Sequence, residues 1–346
     1  MTVPTLRDAA DIKQLANAFC HAKLLLTAHE VGVFGWLAAN GPADADRIAA
    51  GTGLHPRGVG DLLRGLALLD LLVEDEAGYR NSPIVRQTLV PGAPEYLGGF
   101  LRRADHMLYP TWGSLAEALR TGRPQATGAG ADAFRRMLAD PGQRAQYLRM
   151  MDSASTPVAH RLAEVFDWSR YRTVADIGGC RGNLAGILLR HHSGLRATVF
   201  DLAPMGPELT AHLSAQGVAD RAEFVAGDFF TDTLPSADVL ILGHVLHNWS
   251  SAERAKLVAK AFQAVRPGGA LLIYDAMYTG STDDLARVLV SINMLLVTEG
   301  GSEYPVAEAV DWLAAAGCTS HETVPLGSAD TLLIAHKPAT GAGTNR

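Results

Sequence analysis

The chain has 346 residues, of which 48% are apolar and 19% charged, and its formal net charge is −6. This composition excludes a globally disordered chain, and the weak acidity excludes a general polyanion binder, whose affinity depends on clustered basic residues. No apolar run reaches the roughly 20 residues that span a bilayer. Three widely separated cysteines predict neither a disulfide framework nor a zinc site. We therefore expect a soluble cytoplasmic protein of about two domains that has no membrane partner.

Residues 1–100 predict a mostly helical domain. The segment GPADADRIAAGTGLHPRGVGDLLRGL has the pattern of a helix, a turn and a second helix, with Pro42 and Gly53 as breaks. LLVEDEAGYRNS then predicts a short hairpin that turns at residues 76–78. A helix-turn-helix followed by a hairpin is the order of elements in a winged helix.

Winged helices often bind DNA, and charge argues against that role here. Residues 1–100 contain eight Lys and Arg against eleven Asp and Glu, and residues 55–69, which would form the recognition segment, contain only Arg57 and Arg64 as cations. A DNA-reading helix needs a basic stripe. We therefore expect a dimerisation domain, a homodimer and no nucleic-acid partner.

Residues 101–168 predict further helices, which we interpret as a helical linker that contributes to a ligand pocket. The segment RTGRPQATGAGADAF is rich in glycine and predicts a loop, and the next segment predicts a helix, a Pro-Gly break and another helix. Met150 is a candidate pocket residue on the last of these helices. Packing in the core is the alternative role for its side chain.

Strands and helices alternate over residues 169–338, which we assign to a second domain. RTVADIGG, RATVFDL, AEFVAGDFF, ADVLILGHVLH and GALLIYDAM predict five strands, and a final strand pair is expected near residues 319–325 and 331–336. This alternation predicts an α/β fold with a mostly parallel, doubly wound sheet. Residues 339–346 are predicted to be a disordered tail.

A glycine-rich turn follows the first of these strands, in VADIGGCRGNL. Glycines at such a turn let the backbone approach a nucleotide-like ligand closely. The cofactor candidates in the turn are Gly178, Gly179 and Gly182.

Acidic residues follow the next two strands. Asp201, with Leu202 beside it, ends the second strand, and a carboxylate there can accept the hydroxyl hydrogens of a ribose. Asp228 and Phe229, preceded by Gly227, are expected at the end of the third strand, where they would contact an adenine. Dinucleotides and S-adenosylmethionine are both compatible with such a cleft, and the three acids Asp176, Asp201 and Asp228 favour S-adenosylmethionine.

Six segments together resemble one family: VADIGGCRGNLAGILL, VFDLAP, AGDFF, LHNWSSAE, VRPGG and NMLLVTEGGSEY. They are similar to the dimeric S-adenosylmethionine-dependent O-methyltransferases of plant phenolic metabolism, bacterial natural products and melatonin formation. The resemblance extends from about residue 15 to residue 336. It implies a C-terminal Rossmann-like class I methyltransferase sheet and an N-terminal, winged-helix-like dimerisation domain.

The resemblance also implies roles for individual residues. The family's catalytic histidine aligns with His247, and its acidic partners align with Glu303 and Asp275, while Glu299 is a third possible partner. Asn293 and Met294 align with residues that line the acceptor pocket. His247 would remove the proton of a phenol during methyl transfer, with a carboxylate on its other ring nitrogen. The absence of a second histidine at the expected place predicts that no metal is bound.

Several positions depart from the family pattern. Cys180 replaces a glycine, and we expect this residue to have a negative φ that accommodates its thiol. Asn248 replaces the acid after the catalytic histidine, and Tyr304–Pro305 replaces Arg-Thr in the acidic motif. The family often has a cation just before the catalytic motif, and this chain has LGHVLH there instead. We assign no role to His244, which lies in this segment.

The predicted function is methyl transfer from S-adenosylmethionine to an aromatic hydroxyl of a small secondary metabolite, in a pathway such as antibiotic biosynthesis. The alternative is methylation of carbon or nitrogen in an aromatic or amino-acid-derived intermediate. A regulator of the winged-helix type is the competing class, and the charge balance and His247 both disfavour it.

Overall fold

The computed structural model describes residues 6–93, 95–126, 131–280, 285–327 and 329–339. The chain divides into two compact units, Met1–Gly113 and Ser114–Arg346. Within the described residues, no helix combines the length and the apolar character needed to cross a membrane.

Unit 1 contains eight of the described helices and a two-stranded hairpin. Its elements are α1 (Ala9–Ala16), α2 (Ala18–Glu30), α3 (Val33–Asn40), α4 (Ala45–Thr52), α5 (Pro56–Leu68), β1 (Leu72–Asp75), β2 (Gly78–Asn81), α6 (Pro83–Thr88), α7 (Gly98–Arg103) and, after a π-helical turn at Ala104–Leu108, α8 (Tyr109–Trp112). The predicted helix-turn-helix and hairpin are therefore confirmed as α4, α5 and the β1–β2 pair.

Local sequence explains these boundaries. The Asp44 side chain accepts a hydrogen bond of 2.8 Å from the backbone N–H of Arg47, which caps α4, and Pro56 opens α5 at a position that has no partner for an N–H. Gly78 has φ +100°, and a Cβ there would lie 2.4 Å from the backbone of Ala43. The tight hairpin turn thus requires glycine.

Unit 2 contains seven strands and eight α-helices among its described residues. The elements are α9 (Leu115–Thr121), α10 (Ala131–Ala139), α11 (Pro141–Val165), β3 (Thr173–Ile177), α12 (Asn183–His191), β4 (Arg196–Asp201), α13 (Met205–Ala215), β5 (Ala222–Ala226), β6 (Ala237–Gly243), α14 (Ser251–Ala264), β7 (Val265–Asp275), α15 (Leu285–Val297), α16 (Val306–Ala315), β8 (Ser320–Leu326) and β9 (Asp330–His336).

The seven strands form one sheet in the order β5-β4-β3-β6-β7-β9-β8. The strands from β5 to β7 are parallel, while β9 runs antiparallel to both β7 and β8. The predicted doubly wound sheet with a closing strand pair is confirmed. Connections lead to opposite sides of β3, so the carboxyl ends of β3 and β6 border the crevice where such sheets bind ligands.

Both faces of the sheet are buried. Val174, Val239 and Leu272 pack into the core on one face, while the alternate residues Ala175 and Leu240 pack into the core on the other. Burial on both sides explains why these strands are continuous apolar runs in the sequence.

Some details differ from the sequence predictions. The third strand of the domain, β5, ends at Ala226, so Asp228 and Phe229 follow the strand rather than end it. Helix α10 begins at Ala131, inside the predicted glycine-rich loop, because Ala-Asp-Ala-Phe supports a helix once the glycines are passed. Residues 127–130 of that loop and 340–346 of the predicted tail lie outside the described residues.

Candidate active site

The turn between β3 and α12 brings backbone unusually close to neighbouring side chains. Gly178 and Gly182 both have φ +76°, and a Cβ at Gly178 would lie 2.9 Å from Val245. A Cβ at Gly179 would lie 2.4 Å from a carboxylate oxygen of Asp176. The three predicted glycines are therefore sterically required at the end of β3.

Cys180 contradicts our expectation, because its φ is +52° rather than negative. A side chain in this left-handed region costs about 1 kcal/mol or more. Two contacts offset the strain: the Cys180 N–H donates to Asp201 Oδ2 at 2.7 Å, and the Tyr147 hydroxyl lies 3.9 Å from the thiol sulfur. Burial and the nearby charge of Asp201 raise the pKa of this thiol well above its usual range, so it stays protonated at neutral pH.

Asp201 is held at the end of β4 by two backbone amides. Its Oδ1 accepts from the Leu202 N–H at 2.6 Å, and its Oδ2 accepts from Cys180. Each oxygen retains a second lone pair, so the carboxylate can still accept the two hydroxyl hydrogens of a ribose. Burial raises the pKa of Asp201, although both amide hydrogen bonds oppose this effect.

The segment after β5 is compact and aromatic. Asp228 Oδ1 accepts from the Phe230 N–H at 2.9 Å, and Arg135 lies 3.5 Å from Asp228 Oδ2. The Phe229 ring packs edge-on against Trp249, at 5.7 Å between ring centroids. A Cβ at Gly227 would lie 2.5 Å from the Phe200 ring, so this position requires glycine.

Asp176, the first of the three acids that favour S-adenosylmethionine, was not itself predicted as a site residue, although it lies in the glycine motif. Its side chain is buried, and Oδ2 has no hydrogen-bond partner within the described residues. Burial, together with the charge of Asp201, raises the pKa of Asp176 to about 7. A buried carboxylate oxygen that faces the glycine turn without a partner fits a ligand that brings a cation or a donor.

Helix α11 also contacts the turn, which the sequence did not indicate. Asp152 forms an ion pair with Arg181, and Asn183 donates to Ser155 and Thr156 at 2.9 Å each. Polar side chains on a long helix are usually solvent-facing, so no sequence pattern distinguished these contacts.

The three predicted catalytic residues meet at the carboxyl ends of the strands. His247 lies in a 3-10 turn after β6, Asp275 ends β7, and Glu303 lies in the loop between α15 and α16. His247 Nδ1 lies 2.8 Å from Glu303 Oε1 and 3.3 Å from Asp275 Oδ1, and both carboxylates are buried. Glu299, the third possible partner, is exposed.

These three side chains could hold a cation, because their ligand atoms lie within 4.8 Å of one another. However, the ring nitrogen that a metal would use, Nδ1, is at hydrogen-bond distance from Glu303. The arrangement therefore matches a histidine whose tautomer is fixed by a carboxylate.

His244, to which sequence analysis assigned no role, lies next to the proposed catalytic histidine. Its ring stacks parallel to that of His247, with 5.7 Å between centroids and 7° between planes, and its Nε2 lies 3.0 Å from Asp330 Oδ1. Burial lowers its pKa, but the hydrogen bond to Asp330 and the charges of Asp330, Asp275 and Glu303 outweigh burial and raise the pKa to about 9. An imidazolium ion thus lies beside His247 at neutral pH.

Asn248, which stands where the family has an acid, stabilises the turn. Its side-chain amide donates to the backbone carbonyls of His244 at 3.1 Å and Val245 at 3.3 Å. The residue therefore contributes to the shape of the turn that presents His247.

Arg254, on α14, joins the turn to the loop that carries Glu303. Its guanidinium donates to the Leu246 carbonyl at 3.0 Å and to the Ser302 carbonyl at 2.6 Å, and the side chain is 2% exposed. The Ser302 N–H in turn donates to the His247 carbonyl at 2.9 Å. Both neighbours of the His247–Glu303 pair are fixed by the same buried cation.

The candidate acceptor residues lie on two helices of unit 2. Asn293 is half-buried and Met294 is buried on α15, and Met150 is half-buried on α11. Their contact with an acceptor remains a prediction.

Comparison with known proteins agrees with this fold and geometry. An O-methyltransferase domain model matches residues 112–318, and an O-methyltransferase dimerisation domain model matches residues 13–90. The chain is 43% identical to the tetracenomycin polyketide synthesis 8-O-methyl transferase of Streptomyces glaucescens, over 96% of this chain and 98% of that protein. It is 36% identical to an N,N-dimethyltransferase of Streptomyces rimosus, over 96% of this chain and 97% of that protein.

A solved structure extends the comparison. Human N-acetylserotonin methyltransferase in complex with S-adenosylmethionine superposes with a TM-score of 0.88 at 29% identity, covering 97% of this chain and all of that one. The glycine turn, the ribose-type acid and Asp176 Oδ2, which has no partner in the part of the chain that the structure describes, fit the same cofactor. The chain therefore belongs to the family of S-adenosylmethionine-dependent O-methyltransferases.

Proposed function

We propose that the protein methylates an aromatic hydroxyl of a small polyketide-type acceptor, with His247 as general base. The observation that carries the proposal is the 2.8 Å hydrogen bond between His247 Nδ1 and Glu303 Oε1. It leaves Nε2 as the ring nitrogen that can accept a proton, and the side chain keeps 12% of its surface exposed. A relative that shares 43% of its residues is named as an O-methyl transferase of polyketide synthesis, which supports the choice of acceptor class.

The chemistry requires alignment and a proton acceptor. Bound S-adenosylmethionine supplies a methyl group that is already activated by its positively charged sulfur. A phenol has a pKa near ~10 and is mostly protonated at neutral pH. His247 Nε2 would take the phenolic proton as the new carbon–oxygen bond forms, and Glu303 would stabilise the resulting imidazolium. Such general base catalysis contributes roughly 10²–10⁴-fold.

We further propose specific roles in cofactor binding. The backbone at Gly178, Gly179 and Gly182 would lie against the cofactor, and Asp201 with Leu202 would hold its ribose. Residues after β5 would enclose the adenine, namely Gly227, Asp228 and Phe229. The steric need for glycine at four of these positions and the amide-anchored carboxylate of Asp201 support these roles.

We propose that Asn293, Met294 and Met150 contact the acceptor and that the reaction uses no metal. The engagement of Nδ1 by Glu303 supports a metal-free base. We also propose that the protein is a homodimer whose dimerisation domain spans residues 1–100, with a linker at 101–168 and the catalytic domain at 169–338.

Nitrogen methylation is the second candidate. A relative of 36% identity is named as an N,N-dimethyltransferase, so the same scaffold accompanies a different acceptor atom in that protein. A neutral amine needs no base before it attacks, so its methylation would depend far less on His247 than methylation of a phenol.

The test combines product analysis with one substitution. Purified protein is incubated with methyl-deuterated S-adenosylmethionine and a panel of aromatic polyketide phenols and aryl amines, and the products are analysed by mass spectrometry and NMR. We expect O-methylated phenols, a loss of roughly 10²–10⁴-fold in kcat for His247→Ala, and unchanged cofactor affinity by calorimetry.

The matched control is His321→Ala, an exposed histidine of the same unit on β8, which should retain full activity. Undiminished turnover of phenols by His247→Ala would contradict the assignment of the base. Exclusive methylation of amines would favour the second candidate.

A further inference from the structure

Tyr304 occupies a buried position directly behind the proposed catalytic carboxylates. Its side chain is 1% exposed, and its hydroxyl donates to Asp275 Oδ2 at 2.6 Å. The ring is fixed between the guanidinium of Arg254, 4.8 Å from its centroid, and the indole of Trp312, at 5.1 Å. The hydroxyl is therefore directed at one oxygen of Asp275 with little freedom to move.

The other carboxylate oxygen of Asp275, Oδ1, faces the proposed catalytic histidine. The residue is fully buried, and Oδ1 lies 3.3 Å from His247 Nδ1 and has no hydrogen-bond partner within the described residues. A carboxylate in such a place is costly unless donors and cations compensate for the lost water. The Tyr304 hydroxyl is the donor that the structure provides.

We propose that Tyr304 is a positioning residue that acts through Asp275, which it keeps ionised and directed at His247 Nδ1. This inference rests on the proposed function, because it concerns the same base. With Asp275 held in this way, Nδ1 faces two carboxylates. It is hydrogen-bonded to Glu303 Oε1 at 2.8 Å, and Asp275 Oδ1 lies at ion-pair distance, 3.3 Å away.

The second acceptor matters when the proton arrives at Nε2. The imidazolium that forms then lies beside two negative charges, those of Glu303 and Asp275. Both charges stabilise the positive charge that develops on the ring in the transition state. Charged and titratable groups surround Asp275 on several neighbouring elements. They are His244 and His247 on the turn after β6, Glu303 and Tyr304 on the loop before α16, Asp330 on β9, and Arg254 on α14.

Electrostatics at Asp275 agree with this role. Burial raises its pKa to about 6; the charges of His247 and His244 and the Tyr304 hydrogen bond oppose the rise, while the charge of Glu303 adds to it. Asp275 is thus mostly ionised at neutral pH with Tyr304 present. Loss of a hydrogen bond to a charged acceptor weakens ionisation by roughly tenfold, so without the hydroxyl much of Asp275 would be protonated.

The experiment uses Tyr304→Phe, which removes one oxygen and keeps the ring contacts. Rates are measured from pH 6 to pH 9 with the phenol that the wild-type protein methylates best. We expect kcat to fall by about threefold near pH 6.5, because a roughly tenfold weaker ionisation lowers the ionised fraction of Asp275 there from about three quarters to about one quarter. It should approach the wild-type value near pH 8.5, where Asp275 ionises again. KM for the acceptor and affinity for S-adenosylmethionine should not change.

A double-substitution cycle tests the route of the effect. In an Asp275→Asn background, Tyr304→Phe should change kcat by less than about twofold, because the group through which it acts is gone. The matched control is Tyr171→Phe, which alters another buried tyrosine of the same unit, stacked on Phe166 at 5.3 Å. Its pH profile should match that of the wild type.

A second measurement does not depend on turnover. The protein is labelled with ¹³C at aspartate carboxyls, and the titrating signal that disappears in Asp275→Asn is assigned to Asp275. In Tyr304→Phe this signal should titrate at higher pH than in the wild type. An unchanged titration would overturn the inference even if no acceptor were turned over.

The outcomes separate this inference from the proposed function. If His247→Ala is inactive while Tyr304→Phe matches the wild type at every pH, the base assignment stands and the role of Tyr304 is wrong. A loss in Tyr304→Phe that is equal at all pH values and persists with Asp275→Asn also overturns it. If His247→Ala remains active, the proposed function fails, and the carboxyl titration still decides whether Tyr304 controls Asp275.

Discussion

Asp176 carries a carboxyl group that the fold alone does not satisfy. It is 4% exposed, its Oδ2 has no hydrogen-bond partner among the residues described, and burial with the charge of Asp201 raises its pKa to about 7. An acid whose pKa is higher in the folded than in the unfolded chain lowers stability as pH rises. The loss begins near the ordinary pKa of about 3.8 and levels off above about 7.

Asp176→Asn should therefore stabilise the cofactor-free protein at high pH. A difference of about three pKa units corresponds to at most ~4 kcal/mol in the free energy of unfolding. We expect a gain of about 2–4 kcal/mol at pH 8 that shrinks toward pH 4, measured by urea unfolding, together with weaker binding of S-adenosylmethionine by calorimetry.

Asp238→Asn is the matched control for this substitution, on the neighbouring strand β6. Burial raises the pKa of Asp238, but hydrogen bonds from the N–H groups of Arg172 and Thr173 outweigh burial and lower it. Its loss should therefore destabilise the protein at pH 8. A stability of Asp176→Asn equal to that of the wild type at pH 8 would contradict the buried-charge explanation.

At the scale of elements, the active site depends on how a loop packs against a turn. The loop before α16 approaches the turn after β6 so closely that a Cβ at Gly301 would lie 2.4 Å from the His247 carbonyl. Arg254 of α14 then bonds to Leu246 and Ser302, one residue before each member of the His247–Glu303 pair. The 2.8 Å contact between these two side chains is thus set by backbone interactions of three elements.

Arg254→Met should separate the loop from the turn. It removes the side-chain donor to the Ser302 carbonyl and one of two donors to the Leu246 carbonyl, which keeps the Trp249 N–H. The loss costs ~1–3 kcal/mol, and it frees the loop that presents Glu303. We expect kcat to fall by roughly 10–100-fold, since misplacement by about 1 Å has effects of this size, with affinity for S-adenosylmethionine unchanged. Steady-state kinetics and calorimetry measure the two quantities, and Arg254→Lys should recover part of the rate.

Arg221→Met is the control that separates an effect on the placement of Glu303 from an effect on the stability of the fold. Arg221 also donates to backbone carbonyls, those of Leu189 at 2.7 Å and His192 at 3.2 Å, but it precedes β5 and lies at the amino ends of the parallel strands. It should lower the melting temperature without lowering kcat. An equal loss of kcat in both variants would show that Arg254 contributes only to stability.

For the molecule as a whole, much of the architecture could be predicted from the sequence. Runs such as RTVADIGG and GALLIYDAM are continuous and apolar because β3 and β7 are buried on both faces, and such strands leave a clear pattern. The grouping of His247, Asp275 and Glu303 was implied by the family resemblance. The meeting of strand ends at one edge of a parallel sheet accounts for His247 and Asp275, whereas Glu303 lies in the loop between α15 and α16.

Other features left no such pattern. The positive φ of Cys180 depends on tertiary contacts with Asp201 and Tyr147, which override the local preference for glycine. The bonds of Arg254 go to backbone carbonyls, which every residue has, so the sequence does not indicate its partners. The raised pKa of His244 likewise depends on its hydrogen bond to Asp330, which is 86 residues away in the chain.

The oligomeric state is the last property that the sequence and the fold address together. Three large apolar side chains at or next to the start of the region that matches the dimerisation domain model, residues 13–90, are 54–58% exposed in the single chain, namely Ile12, Leu15 and Phe19. Each large apolar side chain that becomes buried contributes ~1.5–3 kcal/mol, so a second copy that covers this face would gain several kcal/mol.

We expect the double substitution Leu15→Glu, Phe19→Glu to raise the dimer dissociation constant by at least about 100-fold, measured by analytical ultracentrifugation. Leu119→Glu, at an exposed leucine of unit 2, should leave the dimer intact, and a double variant that still sediments as the wild type does would place the dimer contact elsewhere.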